Sequence, residues 1–220
     1  EKLYTVLFCL VCFIMIPAAI YILSYIPIVT GPDGASLIKK VADSQQYMFN
    51  YHYYLDATHP YSSEWYTWPT MSKPIWYYDG ELSENLRAGV SGFGNPFVWW
   101  AGIPAFLMCL YRMFRYRDVK AAFLVTGYLA EYLPWVFVHR AVFIYHYFTC
   151  VPFIVLMIAY AFSGLKTKLS KRGYILTASA YAALVFATFM LFYPVLSAHP
   201  IDLDFAKEFL RWERNWVLVN

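Results

Sequence analysis

Five apolar runs, each about as long as a bilayer core is thick, constrain this chain more than any other feature. They cover Leu3–Val29, Ala88–Tyr111, Ala121–Val138, Ala141–Leu165 and Gly173–Ala198, and the third, which contains Glu131, is the least apolar. A helix of about 20 apolar residues spans the hydrocarbon core, and only helices or closed barrels satisfy their backbone there. The runs therefore predict an all-α integral membrane protein with spans near 3–29, 88–111, 121–138, 141–165 and 173–198. Composition agrees. Residues are 60% hydrophobic and 14% charged, whereas a soluble domain is about a quarter charged. A formal charge of +3 gives no case for nucleic acid. The chain opens on Glu1 and turns apolar within three residues, without a basic region or cleavage site. It reads as a piece of a longer protein rather than as a signal peptide.

Orientation follows from lysine and arginine in short links. The link 112–120, "RMFRYRDVK", carries Arg112, Arg115, Arg117 and Lys120, and the link 166–172, "KTKLSKR", carries Lys166, Lys168, Lys171 and Arg172. Five crossings put both links on one side, which the basic residues assign to the cytoplasm. The opposite side then holds the loop 30–87, a tight His139–Arg140 turn and the tail 199–220. Acids Asp33, Asp43, Asp56, Glu64, Asp79, Glu81 and Glu84 in the loop agree with an outer face. Helical spacing of Leu37, Val41, Met48, Tyr51 and Leu55 predicts an interfacial helix over Ser36–Leu55. Phe205, Phe209, Trp212 and Trp216 form a second stripe, suited either to the headgroup layer or to docking on the protein's own outer loops. Cys9, Cys12, Cys109 and Cys150 lie in apolar runs and read as packing thiols.

Ionisable groups beside spans default to functional candidates. Glu131, His139, Arg140 and His146 cluster in "EYLPWVFVHRAVFIYHYF", where Pro134 breaks or kinks the third span. Arg140 offers a planar five-donor fork suited to a phosphate on a lipid carrier; anchoring at the headgroups or pairing with Glu131 are the alternatives. His146 and Tyr145 can reach a phosphate oxygen or a sugar hydroxyl, or serve structure alone. On the same side, "THPYSSEWYTWP" offers His59, Tyr61, Ser62, Trp65 and Trp68, with His52 shortly before. Flat rings with a polar tip suit a sugar or an acceptor chain, and an aromatic belt without ligand is the alternative. No metal-ligand cluster is visible, and no cofactor is expected.

Two of these stretches carry a resemblance. "YHYYLDATHPYSSEWYTWP", followed by "KPIWYY", resembles the outer loop of the protein O-mannosyltransferase family. "YLPWVFVHRAVFIYHYFTCVPF" is similar to that family's other C-terminal signature, an Arg followed by Phe and Tyr-His-Tyr. The resemblance implies a GT-C fold and an inverting glycosyltransferase. Such an enzyme moves mannose from a polyprenyl (dolichyl) phosphate carrier to Ser or Thr of proteins on the extracytoplasmic face. The lipid-linked mannose is a substrate, the bilayer and the protein acceptor are partners, and the loop is too short for the MIR domain of eukaryotic members. A bacterial enzyme of the plasma membrane is thus expected.

The family's catalytic acidic pair lies in its first outer loop, which nothing here matches. The chain is accordingly expected to be the C-terminal five-span half, with no catalytic residue of its own, inactive without the N-terminal half. Its expected share is the donor phosphate and sugar, through Arg140, His146, Tyr145, His139 and His59. Acceptor or sugar contacts fall to His52, Tyr61, Ser62, Trp65 and Trp68. The rival readings are a related lipid-phosphate-dependent transferase with a lipid acceptor, and a non-catalytic membrane module.

Overall fold

The computed structural model describes residues 1–29 and 36–219. Residues 30–35 of the expected outer loop, with Asp33, and residue 220 of the tail lie outside the described residues. The chain divides into two units, Glu1–Asp56 and Ala57–Asn220.

Among its described residues the first unit holds two long helices and a short helical turn over Ile26–Val29. Helix α1, Lys2–Leu23, is apolar enough to cross a membrane and has no face buried by the described residues. A helix apolar all round belongs in lipid or against other protein. It widens into a π turn over Val11–Met15 just ahead of Pro17, where the proline ring lacks an N–H and crowds the carbonyl one turn earlier. Cys9 is exposed and Cys12 half-buried on this helix. Helix α2, Leu37–Tyr54, starts where the Ser36 hydroxyl accepts from the Lys39 N–H at 3.4 Å. The Gln45 amide donates to the hydroxyls of Tyr21 and Tyr25, which ties α2 to the end of α1.

The second unit is a helical bundle capped at one end by a small sheet. Strands β1, Ile75–Glu81, and β2, Leu86–Gly92, form an antiparallel hairpin, with Ile75 opposite Gly92 and Glu81 opposite Arg87. The two-residue strand β3, Ile201–Asp202, pairs antiparallel with β2. This corrects the expected start of the second span. Residues 88–92 are strand, and helix α3 runs over Pro96–Tyr116. The local reason is a capping signal: the Asn95 side chain accepts from the N–H groups of Phe97 and Val98 at 3.1 and 3.4 Å, and Pro96 occupies the first turn, where its missing N–H costs nothing. The Asn95 amide also donates to Val185 at 2.9 Å and so fastens α3 to α6, Lys171–Ser197.

Helix α4 covers Val119–Tyr132 and stops two residues before Pro134, after which Leu133–Phe137 form a 3₁₀ turn. At ~1.5 Å per residue the α part reaches only about 21 Å, and the 3₁₀ turn is needed to approach a bilayer's thickness. Among the described residues four helices are long and apolar enough to cross alone: α1, α3, α6 and α5, which covers Ile144–Leu165. Helix α5 begins as a 3₁₀ helix over Ile144–Cys150. Residues 138–143 are irregular, so the expected tight His139–Arg140 turn is a longer segment. Glycines let the helices meet closely. A Cβ on Gly102 of α3 falls 2.6 Å from Ile154 of α5, and one on Gly127 of α4 falls 2.1 Å from Phe153. Small residues at such crossings allow close backbone approach in a membrane.

Asp118 organises the α3–α4 link. One carboxylate oxygen caps α4 through Lys120 N–H and Ala121 N–H at 3.1 and 3.2 Å; the other accepts from Arg112 Nε and Nη2 at 3.0 and 2.8 Å and from the Tyr160 hydroxyl. The Tyr160 hydroxyl first, then the Ala121 N–H and Arg112, hold this carboxyl at about 2. A carboxyl depressed on folding stabilises the fold above its unfolded pKa, and that contribution disappears as pH falls through the folded value. In detergent, the excess of the wild-type unfolding midpoint over that of Asp118→Asn is expected to be full above about pH 4 and to vanish near pH 2. A difference independent of pH contradicts this role.

The expected tail stripe is not one helix. Helical turns cover Leu203–Phe205 and Ala206–Leu210 and end at Arg211. Phe205 and Phe209 stack on each other at 5.0 Å and stay exposed. Trp216 is 1% exposed, donates to the Met71 carbonyl at 2.7 Å and packs on Phe93 and Phe192. The second half of the stripe therefore docks on the protein itself.

Candidate functional site

The stretch "THPYSSEWYTWP" folds as a series of local braces. Pro60 sits second in a turn in which Ser62 N–H donates to the His59 carbonyl at 3.0 Å, and the Ser62 hydroxyl donates to the same oxygen at 2.8 Å. A proline there presets the turn. The Tyr61 N–H donates to His59 Nδ1 at 3.2 Å, so the neutral ring carries its proton on Nε2, which meets no protein partner among the described residues. Residues Trp65–Thr70 then form a 3₁₀ helix. The Trp68 indole N–H turns back to the carbonyl and hydroxyl of Ser63 at 3.1 and 3.0 Å. Met71 closes the stretch at φ 61°, a left-handed geometry that a buried, bulky residue adopts only when its surroundings fix it.

This loop is fastened to the segment that carries the second motif. Ser63 N–H donates to the Val142 carbonyl at 2.9 Å, the Tyr132 hydroxyl to the Trp65 carbonyl at 2.9 Å, and the Trp100 indole to the Thr70 carbonyl at 3.1 Å. The rings follow. His59 meets Phe143 edge-on at 5.1 Å, Phe143 stacks with Tyr145 at 5.4 Å, and His146 lies 4.4 Å from Tyr145, 4.1 Å from Trp135 and 6.0 Å from Trp68. His146 Nδ1 sits 3.1 Å from the Phe143 N–H at the start of α5, and the His146 N–H returns to the Phe143 carbonyl at 3.0 Å. The same Nδ1 lies 2.9 Å from the Phe143 carbonyl, so it accepts from the Phe143 N–H in one tautomer and donates to that carbonyl in the other.

Arg140 is half-buried in the irregular segment, close enough to His146 for its charge to act on the ring. It makes no ion pair or hydrogen bond among the described residues; the ion pairs there join Arg87 to Glu81 and Arg112 to Asp118. Pairing with the exposed Glu131 is thus not the arrangement found. The structure brings together His59, Tyr61, Ser62, Tyr145 and His146, with Arg140 near His146, while Trp65 packs on Tyr132. Burial, and secondarily the Asp79 carboxylate, push the Tyr61 phenol above its ordinary value and keep it a neutral donor. His139 is exposed beside Arg140. His52 lies in the first unit near the end of α2, edge-on to Tyr51 at 5.2 Å. Trp68 departs from expectation: it is 0% exposed and offers no face to a sugar. It is a support for His146. Trp76 and Trp135 were not singled out by residue type. Trp76 meets Tyr61 edge-on at 5.6 Å, and its buried indole N–H has no acceptor among the described residues. The "KPIWYY" stretch held that signal.

Residues 37–216 match the family profile described as the C-terminal four TMM region of protein-O-mannosyltransferase. The chain belongs to the protein O-mannosyltransferase family. The four membrane segments of that description fit α3, α4 with its 3₁₀ extension, α5 and α6. Relatives include the polyprenol-phosphate-mannose–protein mannosyltransferase of Mycobacterium tuberculosis, 26% identical across 86% of this chain and 42% of that protein. Another is dolichyl-phosphate-mannose–protein mannosyltransferase 5 of Saccharomyces cerevisiae, 26% identical across 82% of this chain and 26% of its own length. The chain thus spans less than half the length of these relatives. A solved S. cerevisiae protein O-mannosyltransferase Pmt1–Pmt2 complex, bound to the sugar donor, superposes with a TM-score of 0.70 at 22% identity, over 83% of this chain and 27% of that one. This likeness gives the protein O-mannosyltransferase chain the GT-C fold.

Proposed function

We propose that this chain supplies the donor-phosphate site, and part of the acceptor groove, of an enzyme that transfers mannose from a polyprenyl-phosphate carrier to Ser or Thr of proteins on the extracytoplasmic face. The observation that carries the reading is the meeting of the two motifs, through Ser63 with Val142 and His59 with Phe143, beside two imidazoles and the Arg140 guanidinium, which makes no hydrogen bond or ion pair among the described residues. These are the donors that a phosphate and a sugar need. The acceptor hydroxyl attacks the anomeric carbon, its proton passes to a base outside this chain, and the bond to the phosphate oxygen breaks. Negative charge then grows on the departing polyprenyl phosphate, and donors fixed beforehand around that position lower the barrier. In this assignment Arg140 holds the phosphate, with His146, Tyr145, His139 and His59 beside it. Tyr61, Ser62, Trp65 and Trp76 border the sugar or the acceptor, Ser62 through its oxygen lone pairs. The first unit and this cluster work with an N-terminal half that bears the catalytic acids.

The test supplies labelled polyprenyl-phosphate mannose and a Ser/Thr-rich peptide to the intact polypeptide in membranes. Label on the peptide hydroxyls is expected. Label on a lipid acceptor alone, or none with a folded protein, overturns the reading.

A further inference from the structure

The opposite end of the bundle carries a feature that mannosyl transfer does not use. A cavity of about 520 Å³ opens between the last turn of α3 and the end of α5, lined by Tyr111, Arg112, Tyr116, Gly164, Thr167 and Lys168. We propose that this cavity is a binding site for the phosphodiester headgroup of an anionic phospholipid, which the chain holds as a structural lipid.

Charge comes first. The two links that border the cavity, 112–120 and 166–172, carry eight basic side chains against one acid, Asp118. That acid is committed, because Asp118 already takes two guanidinium donors of Arg112 and the Tyr160 hydroxyl while capping α4. The excess positive charge at the cavity wall therefore rests on Lys168, whose ammonium makes no hydrogen bond or ion pair among the described residues. Basic pockets between membrane helices select anionic headgroups in this way.

Shape and surroundings favour a lipid over a free anion. The volume falls within the roughly 300–1,000 Å³ of small-molecule sites. Met108 and Leu165 form the apolar part of the wall, and the neighbouring Leu107 and Phe114 of α3 are exposed, which gives acyl chains a continuous path down the helix. Tyr111 and Tyr116 meet edge-on at 5.8 Å at the mouth, the depth at which tyrosine borders the headgroup layer. A Cβ added to Gly164 meets nothing within 4 Å. The space is open, and a side chain placed there fills it without a clash.

Native mass spectrometry of the intact polypeptide, extracted from mixed phosphatidylcholine and phosphatidylglycerol membranes, tests the proposal. The wild type is expected to retain phosphatidylglycerol and to shed phosphatidylcholine. Lys168→Glu, which reverses the cavity's free charge, is expected to lower that occupancy roughly tenfold, and Gly164→Phe to lose it by filling the cavity. Equal retention of both lipids, or wild-type retention in Lys168→Glu, overturns it; Lys168→Glu alone decides if Gly164→Phe aggregates. If inorganic phosphate raises the unfolding midpoint in lipid-free detergent as much as phosphatidylglycerol does, the site takes free anions and the lipid assignment fails.

Discussion

Arg140→Ala in the intact polypeptide is expected to lower mannosyl transfer by roughly two to three powers of ten, as loss of one preorganised charge contact to a developing anion does. The expectation rests on what Arg140 lacks. Most buried charges are neutralised by protein, and their removal breaks the fold along with the chemistry. Arg140 lies half-buried in an irregular segment without an ion pair or hydrogen bond among the described residues, so its truncation leaves the protein's contacts in place. The unfolding midpoint of Arg140→Ala should therefore match the wild type while turnover collapses. Because charge on the phosphate grows only as the glycosidic bond breaks, kcat should fall more than KM rises. Arg140→Lys keeps the charge but not the fork, and should recover part of the loss. Full activity in a folded Arg140→Ala protein removes Arg140 from the donor site; a large drop in stability makes it a structural residue instead.

Much of this site was legible because its residues stand against an apolar background. Arg140 and His146 are costly beside the spans where they lie, and His59 stands in a twelve-residue loop whose two prolines mark a fixed backbone. The sheet was hidden for the opposite reason. "AGVSGFG" is apolar and small, so hydropathy joins it to the span that follows, although Asn95-Pro96 is a helix-start signal placed seven residues later. The third span was legible as apolar sequence, but its α part ends before Pro134 and only a 3₁₀ turn extends it. In the tail, helical spacing was real from Phe205 to Phe209 and misleading beyond. Burial of Trp216 against Phe93 and Phe192 overrode the local period, a tertiary effect that spacing does not contain. Trp68 looked like a ligand surface by type. Its environment, which only the fold supplies, makes it a buttress.

That buttress gives the second large effect. Trp68→Ala should cost about 3–5 kcal/mol, the range for deleting a buried aromatic ring, since Trp68 is fully enclosed and meets Trp135 at 5.7 Å, His146 at 6.0 Å and Tyr147 at 6.4 Å. Trp68→Phe keeps most of the ring but leaves the Ser63 carbonyl and hydroxyl without their indole donor, a penalty of about 1–3 kcal/mol. The two variants should thus rank in order by unfolding midpoint in detergent. Activity should follow a different rule. Trp68 stacks on His146 from one side while the 57–70 loop is pinned to Val142 through Ser63, so removing the indole loosens both halves of the site together. Transfer by Trp68→Ala should fall even at temperatures where the variant is folded, whereas Arg140→Ala loses activity with its stability intact. If Trp68→Ala melts earlier yet transfers mannose at the wild-type rate, the ring cluster is packing alone, and the two motifs do not act as one site.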